Sequence, residues 1–521
     1  MDTGSIDTPE SKSGNSWQLK SEYAGDTQAL IVSAFAHLPS AAALFLELKE
    51  DAGGAWLRAL REKIAITDAT GRTEFSAAIA FAWTGLERMG LDKISLDGFT
   101  TPFKEGMHQP DRKRRLSDDN SQTLIEGGPL WSGGTSLTDP LPPTAIVVHA
   151  VLLLYAANED ALKDQWAAAE LVLRENGVKI SRERPLYLSM GKNADGISIS
   201  REHFGFADGM SQPIPYGDAI LSNKTQSSEE YKWHGVPAGE ILIGHPNAHR
   251  EPAPGPILEV GQNPSPRGDP NLLSDAGVSP GFRNLGLNGS YLVIRELRQY
   301  VSDFWKSMDD AAEKIDGARV DAEWLAERVI GRTLDGNPLA PDGPMPAEGP
   351  DVLANNFGYA EKDVHGLGCP LGSHIRRANP RDWLPSRDGP NPDLSPTSGL
   401  LKAVNHHRIL RRARKFGPES TDKRIDDHAE RGLLFMCLNT DIVRQFEFIQ
   451  QTWLLNPDFS TLFKETDPLL GPQGNFTIPA TPIRQCPEVK TYVKFAGGEY
   501  FFLPSIRALN YFSSLPPEPI S

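Results

Sequence analysis

TAIVVHAVLLLYAANEDALKDQWAAAELVLRENGVKISRERPLYL, residues 144–188, sets the architecture. Thr144 to Ala156 is a long β-rich apolar run, suited to a buried central strand. Asn158 follows as a polar cap, and the apolar residues from there to Arg174 recur at helical spacing. Gly177–Ile180 and Pro185–Leu188 then read as two short strands. Upstream, Ala29–Ala36 (ALIVSAFA) reads as a strand that breaks at His37-Leu38-Pro39-Ser40. Ser40 can cap a helix, and AAALFLEL after it has high helix propensity. Ala55–Ile64 is a helix, and Ser76–Met89 a further one with a strand-like start. Residues 98–135 are loop-like, with charges, proline and glycine.

The order of strands and helices is that of a ferredoxin-like unit, and it recurs. Gly289–Arg295 reads as a strand, Tyr300–Ala312 as a helix, Gly432–Asn439 as a strand and Ile442–Leu455 as a helix. Thr491–Phe495 and Glu499–Phe502 close the pattern as strands. The expected fold is α+β, two ferredoxin-like halves with antiparallel sheets rather than a doubly wound parallel sheet. The expected boundaries are a disordered leader over 1–25, an N-terminal half over 26–270 and a C-terminal half over 286–512. An irregular insertion, 313–365, contains a short helix, Ala322–Gly331. No repeat is visible between the halves at the level of sequence.

Composition narrows the function. The 521 residues are 39% apolar and 23% charged, an ordinary globular balance, with 47 glycines and 42 prolines that call for many loops. A formal net charge of −15 does not attract a polyphosphate backbone, so nucleic acid is not an expected partner. Cys369, Cys437 and Cys486 are too few and too scattered for a disulfide framework or a zinc site, which fits a reducing compartment. No segment approaches 18 uncharged apolar residues, and the first 25 have neither an apolar h-region nor a twin arginine. A cytoplasmic location without a membrane span is the expectation.

Three segments carry chemistry. HFGFADGMSQP, His203–Pro213, holds Asp208 between Gly205 and Gly209 with Phe204, Phe206 and Met210 around it. Asp-Gly is a common turn signal, but a turn does not account for the apolar collar, and a carboxylate near such a collar can shuttle a proton. GSHIRRANPR, Gly372–Arg381, sets His374 among Arg376, Arg377 and Arg381. A metal-bound imidazole with arginine forks for carboxylates fits it, and so does a basic surface loop with a solvated histidine. NHHRILRR, Asn405–Arg412, places apolar Ile409 and Leu410 among Arg408, Arg411 and Arg412. At least one of these guanidiniums therefore borders the core, where it needs an anion.

The three segments resemble the signature motifs of the dye-decolorizing peroxidases. HFGFADGMSQP is similar to that family's GxxDG region, CPLGSHIRRANPR to its proximal-histidine segment and HRILRR to its distal-arginine segment. Gly432–Trp453 and Gly497–Leu509 resemble its C-terminal blocks, so the likeness runs from about Gln28 to Leu509. It departs in having Arg411-Arg412-Ala413 where Arg-Arg-Gly is usual, and Cys437-Leu438-Asn439 where CYQ is common. The resemblance implies a peroxidase that reduces hydrogen peroxide and oxidises dyes or phenols. It implies one haem b per chain, bound mainly by the C-terminal half, in a monomer or homodimer. His374 would be the proximal ligand of the iron, Asp208 the distal acid-base residue and Arg411 its partner. Gly209, Met210, Ser211, Asn379, Pro380 and Arg381 would lie against the haem. Asp441 would accept the other N–H of the proximal imidazole, with Glu447 as competitor. Trp453, Tyr500 and Tyr511 are candidates for relaying electrons from bulky reductants. A haem carrier, a sensor or a chlorite-dismutase-like protein is the alternative; the first two would need neither Asp208 nor Arg411.

Overall fold

The computed structural model describes residues 17–134, 142, 144–181, 186–192, 198–222, 228–261, 267–315, 320–344, 355–383, 399–480 and 484–517. Eight strands form its centre: β1 (Ser40–Glu47), β2 (Phe75–Phe81), β3 (Ala150–Ala156), β4 (Leu186–Ser189), β5 (Ser290–Gln299), β6 (Arg414–Phe416), β7 (Gly432–Asn439) and β8 (Val493–Leu503). In the N-terminal half the spatial order is β2-β3-β1-β4, and in the C-terminal half β6-β7-β5-β8, all antiparallel. Each is the order of a ferredoxin-like sheet, with the first and third strands central. The halves meet twice, where Phe502 of β8 pairs with Phe81 of β2 and where β6 pairs with β4 at Lys415↔Ser189 and Phe416↔Leu188. The eight strands thus close into one barrel.

Closure gives the sheet an inside and an outside, and the two-residue period of the strands divides the core between them. Ala41, Ala43 and Phe45 pack with Leu153, Ile294, Leu438 and Phe501, drawn from both halves. Ala42, Leu44 and Leu46 pack outward under helices α1 (Ala55–Lys63) and α2 (Glu159–Glu175), against Trp56, Leu60 and Leu173. Asn158 caps α2 by accepting from Ala161 N, as the sequence predicts.

Four expectations are corrected. Ser40–Glu47 is a strand, not a helix, because a position buried on both faces between β3 and β4 outweighs the helix propensity of Ala and Leu. Ala29–Ala36 is not a strand: its carbonyls accept from buried side chains instead, Leu30 and Ile31 from Arg412, and Ala34 and Phe35 from Arg414. The two strands expected over 491–502 are one, β8, which shifts register against β5 between Glu296 and Leu297. Residues 17–25 are not a disordered leader, since Trp17–Leu19 pair with Ile220–Ser222 and Trp17 is buried; residues 1–16 lie outside the described residues.

The helix expected over Ile442–Leu455 is present but wound wide. Glu447 N donates to Ile442 O and Leu455 N to Gln450 O, so Val443–Glu447 and Ile449–Leu454 are π-helical. Such turns concentrate at functional sites. This one supplies Phe446, Ile449, Gln450, Trp453 and Leu454 to the wall of the cavity described next.

Candidate active site

A cavity of about 270 Å³ gathers the three segments that the sequence singles out, with His374, Asp208 and Arg411 all in its wall. His374 opens a short helix, His374–Ala378, and its ring Nδ1 lies 3.1 and 3.0 Å from the two oxygens of Asp467. Asp467 is wholly buried and also accepts from the backbone N–H groups of Leu469 and Leu470. Burial alone would raise its carboxyl; the His374 ring and the Arg377 guanidinium outweigh burial and hold it below the ordinary range. With Nδ1 engaged, Nε2 is the nitrogen left to bind a metal. Among the described residues no group of three His, Cys, Asp or Glu side chains could hold a bare ion. A metal at His374 must therefore bring its other ligands with it.

Asp208 and Arg411 come together from opposite halves. Arg411 sits on a two-residue strand, Leu410–Arg411, paired with β7 at Leu438 and Cys437. Its Nη1 donates to Asp208 Oδ1 at 3.1 Å, its Nη2 to Met210 O at 2.6 Å, and its backbone N to Gln212 Oε1. Asp208 Oδ1 also accepts from Gly209 N. The loop needs glycine at 205, whose φ of +110° would strain any side chain.

Four further guanidiniums line the cavity; Arg295 is paired with buried Asp118, 2.9 Å away, which leaves three, Arg332, Arg381 and Arg408. All three are buried, and the partners they have are neutral. Arg332 donates to Gly336 O and Asn355 Oδ1, Arg381 to Asn355 O, Phe357 O and Ser211 Oγ, and Arg408 to Ser211 O. Among the described residues no carboxylate forms an ion pair with any of the three. Burial, with the charges of Arg381 and Arg411, pulls Arg408 down to about 9, and burial with the charge of Arg332 pulls Arg381 down to about 10. Asn379, also in the wall, has a buried side-chain oxygen without a partner. The wall thus offers one imidazole, an apolar floor of Ile375, Ala378 and Leu470, and a surplus of buried positive charge. A planar metallo-macrocycle with two carboxylates fits each of these features.

No family model matches the chain. It is 27% identical over 474 residues to a dye-decolorizing peroxidase of Mycena epipterygia, covering 83% of this chain and 75% of the relative. The chain is a homologue of the dye-decolorizing peroxidases. The fold agrees with a DyP-type peroxidase of Anabaena sp., with a TM-score of 0.68 and 22% identity over 94% of this chain and 95% of that one. A dye-decolorizing peroxidase solved with 2,6-dimethoxyphenol gives a TM-score of 0.67 and 23% identity, over 94% and 99% of the two chains. Dye-decolorizing peroxidases are haem enzymes, and the donor set above fits haem.

Not every residue expected at the haem is in the wall. Met210, Ser211, Asn379 and Arg381 line the cavity; Gly209 and Pro380 are not among its lining residues. Arg376 and Arg377 are buried but engaged elsewhere, Arg376 with the Asp363 carboxylate at 3.4 Å and the carbonyls of Cys369 and Asp363, Arg377 with the carbonyls of Trp453, Leu454, Asn456 and Glu465. Asp441 does not reach His374: its oxygens serve Arg444, through the backbone N–H at 3.0 Å and the side chain at 3.4 Å. Glu447 is equally engaged elsewhere, with Arg112 at 2.6 Å and the Tyr500 hydroxyl at 2.8 Å. Tyr500 and Tyr511 are buried core residues rather than surface relays, while Trp453 is buried against the cavity and packs on His407 and Phe448. Sequence reasoning missed Asp467 and Arg332. Asp467 lies in the turn-like TDPLLG and Arg332 in an insertion read as irregular, so neither shows its partner locally.

Asp467→Asn removes the charge behind His374 but keeps the shape. The affinity for haem iron should fall by about 10- to 100-fold, as when such an outer partner is lost elsewhere. Asp441→Asn should leave haem binding as it is. Haem transfer to apomyoglobin measures both, and equal retention in the two variants would return the role to another residue.

Proposed function

We propose that this chain is a haem-dependent peroxidase that reduces hydrogen peroxide and oxidises dyes or phenolic compounds, with His374 as the proximal iron ligand and Asp208 and Arg411 as the distal pair. The observation that carries this is the Asp208–Arg411 contact of 3.1 Å in the same cavity wall as an imidazole already oriented by Asp467. A haem carrier would need the imidazole but not that pair.

A bound haem supplies an iron centre able to take two oxidising equivalents from peroxide. The protein's own residues handle protons and charge. Asp208 takes the proton from the near oxygen of peroxide and delivers it to the far oxygen, which leaves as water. Arg411 keeps the carboxylate in place through Nη1 and faces the negative charge that grows as the O–O bond breaks. Asp467 holds the His374 ring in one orientation. Arg332, Arg381 and Arg408 would receive the two haem carboxylates.

The finer parts of this reading are one haem b per chain and a division into residues 26–270 and 286–512. The ferredoxin-like strand order in each half supports the division. The site draws on both halves, the C-terminal one giving His374, Arg381, Arg408, Arg411 and Asp467 and the N-terminal one the Asp208 loop. No helix among the described residues is long and apolar enough to cross a membrane. Cys369 and Cys437 are free and buried, which supports a reducing, cytoplasmic setting. The oxidised partner is taken to be an aromatic dye or phenol, met by a monomer or homodimer.

The test is an absorbance spectrum of the purified protein. A Soret band that shifts on addition of one equivalent of peroxide is the expected result; a Soret band that does not move would favour a carrier. Arg411→Leu should keep the haem and slow the reaction with peroxide by about 10²–10³-fold, the scale on which losing one donor to a developing anion costs rate. Stopped-flow mixing measures the second-order rate. Because Arg412 is held by the carbonyls of Leu30 and Ile31, an unchanged rate would move the role to Arg408, the neighbouring guanidinium in the wall.

A further inference from the structure

Asp208 is not the only acidic side chain in the wall near this loop. Glu202, six residues before it, also lines the cavity. Its carboxylate accepts three hydrogen bonds, from Phe204 N at 2.7 Å, from Phe206 N at 2.8 Å and from Gln299 Nε2 at 2.7 Å. Two of these donors belong to the tight turn that leads into Asp208, and the third belongs to β5 of the barrel. The backbone closes the same turn, with Glu202 N donating to Phe206 O and Gly205 N to Glu202 O. Beyond the turn, Ala207 N is held by Leu334 O and Asp208 N by Ser200 O. Lys423 and Trp305 both donate to Phe204 O, and Arg201 to Gly205 O. Asp208 and Lys423 are the charged groups that act on Glu202.

We infer that Glu202, as a carboxylate, is a positioning residue for Asp208, clamping the turn Phe204–Phe206 to strand β5 and setting the charge against which Asp208 gives and takes its proton. The inference rests on the reading of Asp208 as the proton-transfer group. Burial raises the Glu202 carboxyl, and the three donors act against burial to favour the anion. Three donors point at two oxygens, so a neutral amide in the same place would turn an N–H toward a donor and lose at least one bond. A turn held by weaker bonds lets the Asp208 side chain drift from Arg411, and a displacement on the ångström scale is expensive in a proton transfer.

The experiment uses full-length, haem-loaded protein carrying Glu202→Gln. Amide exchange over residues 202–208 should speed up while the haem-to-protein ratio stays at the wild-type value. The rate constant with peroxide should fall by roughly 10- to 100-fold. The pH midpoint of that rate should move, because the variant removes a titratable carboxyl that interacts with Asp208. A mere brace would change exchange alone. Wild-type rate and midpoint in the variant would overturn the inference, however fast the amides exchange. Should Glu202→Gln fail to fold, Gln299→Leu removes one of the three donors, and an unchanged peroxide rate there overturns it equally. A wild-type protein that binds no haem overturns the peroxidase reading itself, and that is seen before any variant is made.

Discussion

His374→Ala is expected to strip the protein of haem, with the Soret band reduced to a small fraction of the wild-type value and peroxide turnover lost with it. The reason is the singularity of this imidazole. His374 is the one histidine among the described residues that line the cavity, and among them the wall's carboxylates and the Met210 thioether have no partner placed to orient them toward iron as Asp467 orients this ring. The arginines would still attract the haem carboxylates, but charge attraction at one edge does not hold iron at the centre. The variant also leaves Asp467 buried without the ring that stabilised its charge, although Arg377 and the N–H groups of Leu469 and Leu470 remain. Some loss of stability is therefore expected beside the loss of haem, and far-UV circular dichroism separates the two. Added imidazole provides a second control, since it can enter the space that the side chain vacated and restore a ligand. A folded variant that keeps stoichiometric haem and turns over normally would remove His374 from the site.

How much of this was legible in the sequence depends on the range over which each feature is decided. The strand β7 and the helix α2 with its Asn158 cap are decided by residues a few places apart, and their reading agrees with the structure. Ser40–Glu47 was misread because Ala and Leu favour a helix when nothing surrounds them, whereas here β3 and β4 flank the segment. The closure of the barrel rests on short contacts such as Phe81 with Phe502, some 420 residues apart, and no local pattern announces them. The site divides in the same way. His374, Asp208 and Arg411 carry local signatures in the glycines, arginines and apolar neighbours around them. Asp467, 93 residues after His374, has a turn-like setting that would suit a solvent-exposed cap equally well, and only the fold brings it to the ring. The resemblance implies Asp441 in that place, but Arg444, three residues on, satisfies it first.

Asp208→Asn is expected to lower kcat/KM for peroxide by roughly 10²–10⁴-fold while haem stays bound, the range that a positioned acid-base group contributes. Asparagine keeps the size of the side chain and an oxygen able to accept from Arg411 and Gly209, so the loop has no reason to collapse. Its glycines are untouched, as are the bonds that Ala207 N and Asp208 N donate to Leu334 O and Ser200 O. What disappears is the ability to hold a proton between two oxygens of peroxide. Arg411 remains and still opposes negative charge, which places the loss toward the lower end of the range. The pH dependence carries the sharper distinction. In the wild type the rate depends on a carboxylate able to accept the first proton, whereas the amide does not titrate in this range. The variant should therefore lose the part of its profile that belongs to residue 208 when kcat/KM is followed across about pH 3–7. A profile that kept both its wild-type height and its shape would reduce Asp208 to a turn residue. Proton transfer would then have to come from Glu202, the other carboxylate of that loop in the cavity wall.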